Sequence, residues 1–344
     1  MISAIKFLRS GDTSPCRNIA LEKVLTMRVP EGECVLFLWQ NRDTVVIGRN
    51  QNAWAECRVR PFLDSGGQIA RRLSGGGAVY HDTSNLNFTF AARKGDFDPE
   101  KQSSVILRAV RKLGVPAEKT GRNDFEAEGR KFSGSACYEE KGCCCHHGTL
   151  MMDVDLERMA EALTPPKAKL LSRGVRSVRS RVVNLKEYCP GICRETLEKA
   201  LTEAFEEVYG LRAEKLSKDR LDENAVLRET AFLSSEEWLF GRRIPFTAAL
   251  EGRFPWGGIR IELNVDRGRV KDAVCWSDAM DEQFILALGG ARASCPYDGE
   301  ALAAAVLKAA EGADARTGPS RVGMARDVAG MIREQTDGGR QTSP

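Results

Sequence analysis

The chain has 344 residues, 42% hydrophobic and 29% charged, with a formal net charge of +3. That balance excludes collagen-like, coiled-coil and largely disordered chains, and so small a charge argues against nucleic acid as a partner. Apolar runs such as residues 34–39 and 301–307 fall far short of a bilayer span, and the first residues lack an apolar core followed by a small-residue cleavage site. Neither membrane insertion nor a secretory leader is therefore expected.

In chain order, residues 2–8 read as a strand and 18–27 as a helix, with Ile19, Leu21, Val24, Leu25 and Met27 at roughly helical spacing. Residues 34–39 and 44–47 are β-rich and separated by Asn41-Arg42-Asp43, which predicts a hairpin. Segments 68–72 and 78–81 flank a glycine run. Residues 85–90 alternate strictly, with Leu86, Phe88 and Phe90 on one face and Asn85, Asn87 and Thr89 on the other. This is a strand whose polar face need not look at bulk water. A helix is predicted over 99–113, a short hairpin-like pair over 124–135, a strand over 149–154 and a helix over 156–163. Residues 167–194 hold eight basic side chains against one acidic, Glu187. Residues 197–209 form an amphipathic helix closed by Gly210. Residues 213–224 are charged without apolar periodicity and read as a linker. Beyond them come helices at 235–240, 282–288 and 299–310 and strands at 258–265 and 269–276, a compact α+β unit. Residues 335–344 are polar and read as disordered.

The stretch Arg71-Arg-Leu-Ser-Gly-Gly-Gly-Ala-Val-Tyr-His-Asp82 places three glycines and two arginines between strand candidates. Open backbone N–H groups and planar guanidinium donors suit a phosphate or carboxylate, although a glycine-rich turn with solvated arginines explains the pattern as well. It is neither a P-loop nor a dinucleotide fingerprint. The second stretch runs from Gly121-Arg-Asn-Asp124 to Arg130-Lys-Phe-Ser-Gly-Ser-Ala136, where Lys131 precedes small residues that let a ligand lie against the backbone. Read alone, Lys131 is better explained as a surface lysine beside Arg130 on a turn. The third is His146-His-Gly-Thr-Leu150; no Gly-x-Ser-x-Gly elbow accompanies it.

The eleven cysteines, odd in number and without a C-x-x-C, point to free thiols in a reducing compartment, the cytoplasm. Cys143, Cys144 and Cys145 are consecutive, so in an extended segment they alternate between faces. Zinc is therefore not expected from them, and a loop of free thiols is.

In this order and spacing, the three stretches resemble bacterial lipoate–protein ligase, a likeness that continues through Ser177-Val-Arg-Ser-Arg-Val-Val-Asn-Leu185 and more weakly Trp256-Gly-Gly-Ile-Arg-Ile261. The resemblance implies an α+β fold: a large mixed-sheet catalytic domain with packed helices, like that of biotin protein ligase, followed by a small α+β accessory domain. The expected division is 1–212 catalytic domain, 213–224 linker, 225–330 accessory domain and 331–344 tail. It implies activation of lipoate (or octanoate) with ATP and Mg2+ to lipoyl-AMP, then transfer to a lysine of a carrier domain. The implied carriers are the acyltransferase subunits of 2-oxoacid dehydrogenases and the glycine cleavage H protein. Carried over residue by residue, Lys131 is the catalytic lysine, touching both the acyl carbonyl and the α-phosphate. Arg72, Gly77, Ala78, Val79, Tyr80, Asn123 and Asp124 fall in the nucleotide site, with the metal near Asp124 and its ligands unassigned. Arg71, Ser74, Gly75, Gly76 and His81 fall beside the acyl group.

Two rivals remain open at this point. An octanoyltransferase would use Cys137 or one of Cys143, Cys144 and Cys145 as nucleophile, and a lipoyltransferase would accept only preformed adenylate. A non-enzymatic module for a nucleotide or anionic peptide explains the arginines and glycines, but not Lys131 at its spacing.

Overall fold

The computed structural model describes residues 1–121, 123–164, 181–217, 220–241, 244–290, 295–310 and 320–337. The first half of the basic segment, residues 167–180 with Arg173 and Arg176, lies outside these residues, as do residues 338–344 of the expected tail.

Along the chain run β1 (Ala4–Arg9), α1 (Pro15–Arg28), β2 (Glu33–Trp39), β3 (Thr44–Ile47), α2 (Ala53–Glu56), α3 (Val59–Asp64), β4 (Gln68–Arg71), β5 (Val79–His81), β6 (Asn85–Arg93) and α4 (Pro99–Lys112). These are followed by β7 (Ala117–Thr120), β8 (Asp124–Ala127), β9 (Arg130–Glu140), β10 (Cys143–Met151), α5 (Leu156–Ala162), α6 (Arg194–Tyr209), β11 (Ala213–Lys215), α7 (Glu223–Leu233) and α8 (Glu236–Phe240). The last part holds β12 (Ala248–Phe254), β13 (Gly257–Asp266), β14 (Arg269–Ser277), α9 (Glu282–Gly290), α10 (Gly299–Ala309) and α11 (Arg321–Asp337).

The chain divides into two compact units. The first is Met1–Ile47, Ala53–Arg72 and Ala78–Leu239; the second is Gly48–Asn52, Leu73–Gly77 and Phe240–Pro344. In the first, eight strands form one mixed sheet in the order β11-β1-β2-β6-β10-β9-β8-β7, and a smaller sheet orders β4-β3-β5. The fold is thus α+β with a large mixed sheet and packed helices, as expected. Helix α4 starts with Pro99 behind Asp98, whose carboxylate accepts from Lys101 N, and α6 ends where Gly210 turns left-handed at φ +66°. The turns Glu128-Gly129 and Lys141-Gly142 have positive φ at both residues, as tight type I′ hairpins require. They join β8 to β9, bearing out the predicted hairpin pair, and β9 to β10.

Strand β6 keeps its predicted alternation, and both faces are buried. Leu86, Phe88 and Phe90 join Leu36 and Leu38 from β2, Val105 and Ala109 from α4, and Leu201 and Phe205 from α6 in one core. The polar face meets α1 instead.

The structure corrects several expectations. Residues 41–43 do not make a hairpin: β2 pairs with β1 and β6, whereas β3 pairs with β4 and β5 in the other sheet. The thiols are not on a loop, because the Lys141-Gly142 turn ends just before Cys143 and β10 begins there, earlier than the strand expected at 149–154. Residues 213–215 pair in parallel with β1, and α7 packs on α1, where composition suggested a linker. Residues 331–337 continue α11, with Met331 and Ile332 buried.

The second unit packs α9, α10 and α11 on the antiparallel sheet β12-β13-β14, around Ile261, Leu263, Phe284, Leu288, Leu302, Val328 and Ile332. Among the described residues no helix is long and apolar enough to cross a membrane.

Candidate active site

Lys131 lies near the start of β9, where the ladder with β8 shifts register between Phe125 and Glu126. A second segment fixes its backbone: Lys131 N donates to Arg181 O at 2.9 Å, and Val183 N donates to Lys131 O at 2.9 Å. The side chain runs over Gly134, where an added Cβ would sit 2.8 Å from Nζ. A residue without a side chain at that position is what lets the ammonium reach Asp124 Oδ1, 2.7 Å away. The two side chains are 38% and 35% exposed, so solvent and an incoming anion can both reach the ammonium. Asn123 is tied alongside: Ser135 N donates to Asn123 O at 2.8 Å, and Asn123 Nδ2 donates to Ser135 O at 3.2 Å. The structure thus brings together Asn123, Asp124 and Lys131.

A second group lies on the polar face of the large sheet. His147 and Thr89 are opposite one another on β10 and β6. Trp39 Nε1 donates to Thr89 Oγ1 at 3.0 Å, and Thr89 Oγ1 donates to Glu22 Oε2 at 2.6 Å. His147 Nδ1 lies 2.9 and 2.8 Å from the two Glu22 oxygens. On the opposite, apolar face of the sheet Gly148 makes room for Phe88, since a Cβ there would be 2.5 Å from its ring.

Arg72 and His81 interact electrostatically with this group. Burial lowers the Arg72 guanidinium to about 10, opposed by Glu22, so it stays charged at neutral pH. Burial, then Arg72 and His147, push His81 down to about 3. Its neutral ring accepts at Nδ1 from Asn41 Nδ2, 3.2 Å away, which leaves the proton on Nε2. That buried Nε2 has no hydrogen-bond partner.

The remaining predicted residues are placed otherwise. Arg71 is buried, donating through Nε to Trp238 O at 2.7 Å and through Nη2 to Leu239 O at 2.7 Å. Trp238 Nε1 in turn donates to Arg71 O at 2.9 Å. Val79 and Tyr80 pair with Val46 and Val45 on β3, and Ala78 precedes them half-buried. Tyr80 Oη donates to Asp43 Oδ1 at 2.9 Å; Asp43 also accepts from Arg158 Nη2 at 2.9 Å.

Ser74, Gly75, Gly76 and Gly77 belong to the second unit. There Arg49 N donates to Ser74 O at 2.9 Å and Gly76 N donates to Ala279 O at 3.0 Å. A Cβ on Gly75 would stand 2.4 Å from Ala279 O, and Gly76 is left-handed at φ +94°. Gly75 is thus explained by close backbone packing and Gly76 by its left-handed turn.

The consecutive thiols split between faces as extended geometry requires. Cys144 shares its face with His146, which contacts Phe88 and Phe90, while Cys143 and Cys145 share theirs with His147. All three are buried. Glu22, Trp39 and Thr89 are not among the expected site residues; the polar face of residues 85–90 and the His146-His147 pair are the signals that the sequence offers for this group.

The family profile described as the lipoyl protein ligase A/B catalytic domain matches residues 14–206, more than half of the chain, and the bacterial lipoate protein ligase C-terminus matches 243–314. The chain belongs to the lipoate–protein ligase family and is an enzyme of that ligase class. Among solved structures it is similar to P. falciparum LipL1 in complex with lipoate, at 26% identity and TM-score 0.82, covering 96% of this chain and 100% of that one. The bipartite lipoate protein ligase of Thermoplasma acidophilum, described with its E2 lipoyl domain, shares the fold at 24% identity and TM-score 0.61, covering 72% and 100%. A lipoate-protein ligase A bound with ATP does so at 24% and 0.59, covering 70% and 99%.

Proposed function

We propose that this enzyme activates lipoate with ATP to lipoyl-AMP and transfers the lipoyl group to a lysine of lipoyl carrier domains, those of 2-oxoacid dehydrogenase acyltransferase subunits and of the glycine cleavage H protein. The observation that carries this reading is the half-exposed Lys131–Asp124 pair beside Gly134. In the first step a carboxylate oxygen of lipoate bonds to the α-phosphorus and pyrophosphate leaves. Anionic repulsion opposes this attack, and the Lys131 ammonium relieves it by bridging acid and phosphate. In the second step the carrier amine attacks the acyl carbon and AMP departs. The negative charge developing on the carbonyl oxygen falls to the same ammonium.

Asp124 suits Mg2+ held jointly with nucleotide phosphates, because this ion is commonly bound by one or two carboxylates with substrate supplying the rest. When bound, it neutralises phosphate charge. Asn123 orients the turn that holds Asp124. Arg72 supplies a charge that burial does not remove, and His81 Nε2–H is a directed donor toward the acyl group.

The two units and the burial of the thiols at 143–145 favour this reading over a thioester mechanism, since burial holds the Cys145 thiol well above its usual range. The eleven cysteines, odd in number and without a C-x-x-C, suit a reducing compartment such as the cytoplasm. Lipoate-dependent exchange of labelled pyrophosphate into ATP tests the proposal. Exchange followed by amide formation on a carrier domain is expected; transfer without exchange would replace it with a lipoyltransferase or octanoyltransferase.

A further inference from the structure

We propose that Trp238 is a positioning residue for the acid-activating step: through Arg71 it clamps the peptide from which the Arg72 side chain departs. That peptide is held at both ends. Its N–H, at Arg72, donates to Ile47 O on β3 at 3.0 Å, and its carbonyl, Arg71 O, accepts from Trp238 Nε1 at 2.9 Å. Strand β4 lies at the edge of the sheet ordered β4-β3-β5, so a carbonyl that points away from β3 finds no ladder partner. The indole N–H closes that edge at the last residue of β4.

The grip is reciprocal. Arg71 Nε donates to Trp238 O at 2.7 Å, and Nη2 donates to Leu239 O at 2.7 Å. These carbonyls lie at the end of α8, where the last C=O groups of a helix lack intrahelical partners. A planar, permanently charged fork suits two adjacent carbonyls. Arg71 and Trp238 are only 4% and 9% exposed, so water competes little for these bonds. The Trp238 ring is itself held 4.9 Å from Phe232 near the end of α7, and Cys16 of α1 donates through Sγ to Leu233 O at 3.5 Å. A line of contacts thus runs from α1 through α7 and α8 to β4, all within the first unit.

The chemistry feels this at Arg72. Its guanidinium is buried yet charged, and Nη1 donates to Val46 O at 3.3 Å, so a rotation of the preceding peptide carries a fixed charge out of place. Such errors are costly, because a group displaced by about an ångström loses up to about 10² in rate. Arg71 is the anchor of this clamp, and Arg72 supplies the charge. The inference rests on the ligase reading above.

The test is Trp238→Phe, which keeps an aromatic ring against Phe232 and removes the N–H, beside Trp238→His, which keeps a ring N–H. Lipoate-dependent pyrophosphate exchange is measured per folded enzyme, and hydrogen exchange of the Arg72 amide is followed in parallel. Trp238→Phe should speed exchange of that amide and lower kcat about tenfold, with KM for ATP changed by less than about threefold. Trp238→His should recover most of the rate. Adding Arg71→Met to Trp238→Phe should slow the enzyme little further, since both break one clamp. Multiplied losses would instead show Arg71 acting on substrate by itself and overturn the assignment. Wild-type kcat in a folded Trp238→Phe enzyme also overturns it, as does a lower kcat with an unchanged Arg72 amide. A wild-type enzyme without pyrophosphate exchange overturns the ligase reading and this inference with it; an active wild type matched by Trp238→Phe overturns the inference alone.

Discussion

Lys131 Nζ stands 2.7 Å from Asp124 Oδ1, two half-exposed opposite charges whose side chains meet over a glycine. An exposed ion pair of this kind adds little stability, typically below about 1 kcal/mol, so its geometry is better understood as a poised cation. Replacing Lys131 by Ala should leave the melting temperature nearly unchanged and cut lipoate-dependent pyrophosphate exchange by roughly 10²–10³-fold, the usual cost of losing one such electrostatic contact. A folded Lys131→Ala enzyme that adenylates at near wild-type rate would remove Lys131 from the chemistry.

Gly134 offers the complementary substitution. With a Cβ 2.8 Å from Nζ, Gly134→Ala must push the ammonium off its present line. Exchange activity should fall about tenfold or more, because misplacing a catalytic group by about an ångström costs up to about 10². Circular dichroism should report an intact fold. Unchanged activity would show that Lys131 needs no such path.

In the glycine run, different positions should report different things. Gly75→Ala puts a methyl group 2.4 Å from Ala279 O, and overpacking of this kind costs about 1–3 kcal/mol. It should lower the melting temperature. Gly77→Val is expected to raise the ATP concentration needed for exchange with little thermal effect. Thermal melts and ATP titrations on both variants separate the two roles; a reversed pattern would exchange the assignments.

Thr89 joins Trp39 to Glu22 inside the sheet. Thr89→Val keeps the shape but strands the indole N–H, whereas Glu22 Oε2 keeps His147 Nδ1. A buried donor so stranded costs about 1–3 kcal/mol, and Thr89→Ser should recover most of the loss. Urea titrations of the two variants measure it; equal stability of Thr89→Val and Thr89→Ser would deny the hydroxyl its structural role.

Acidification should affect the two units in opposite senses. Burial depresses His81 and His146 to about 3, below the ordinary 6.5. As pH falls from about 6.5, the unfolded chain takes up protons that the folded first unit refuses, so stability is lost by up to about 1.4 kcal/mol per histidine per pH unit. Burial raises Glu282, in the second unit, from 4.5 to about 7. There the folded state keeps a proton that the unfolded chain releases, so stability is lost as pH rises through 4.5 to 7. Unfolding free energies measured from pH 4.5 to 6.5 should gain slope when Glu282 is replaced by Gln and lose slope when His146 is. Slopes indifferent to both changes would refute this account.

Local patterns in the sequence determined the elements and the faces they bury. Alternation over residues 85–90 separated an apolar face from a polar one, a helix was legible from Pro99 and another ended at Gly210, and Lys131 stood out through the resemblance that its motif carries together with the others. These signals are legible because they depend on neighbours two to four residues away.

Only the tertiary structure decided what meets each face. Glu22 and His147 are 125 positions apart, and no periodicity pairs them. The carbonyls that occupy Arg71 lie on α8, and the carbonyl that makes Gly75 obligatory belongs to Ala279. The same glycines and arginines that read as an anion site therefore divide into backbone packing at Gly75, a left-handed turn at Gly76, a buried guanidinium held by carbonyls at Arg71, and a buried charge at Arg72. Periodicity shows which side of an element is hidden, whereas the chain's path through space supplies the atoms on the other side of that contact.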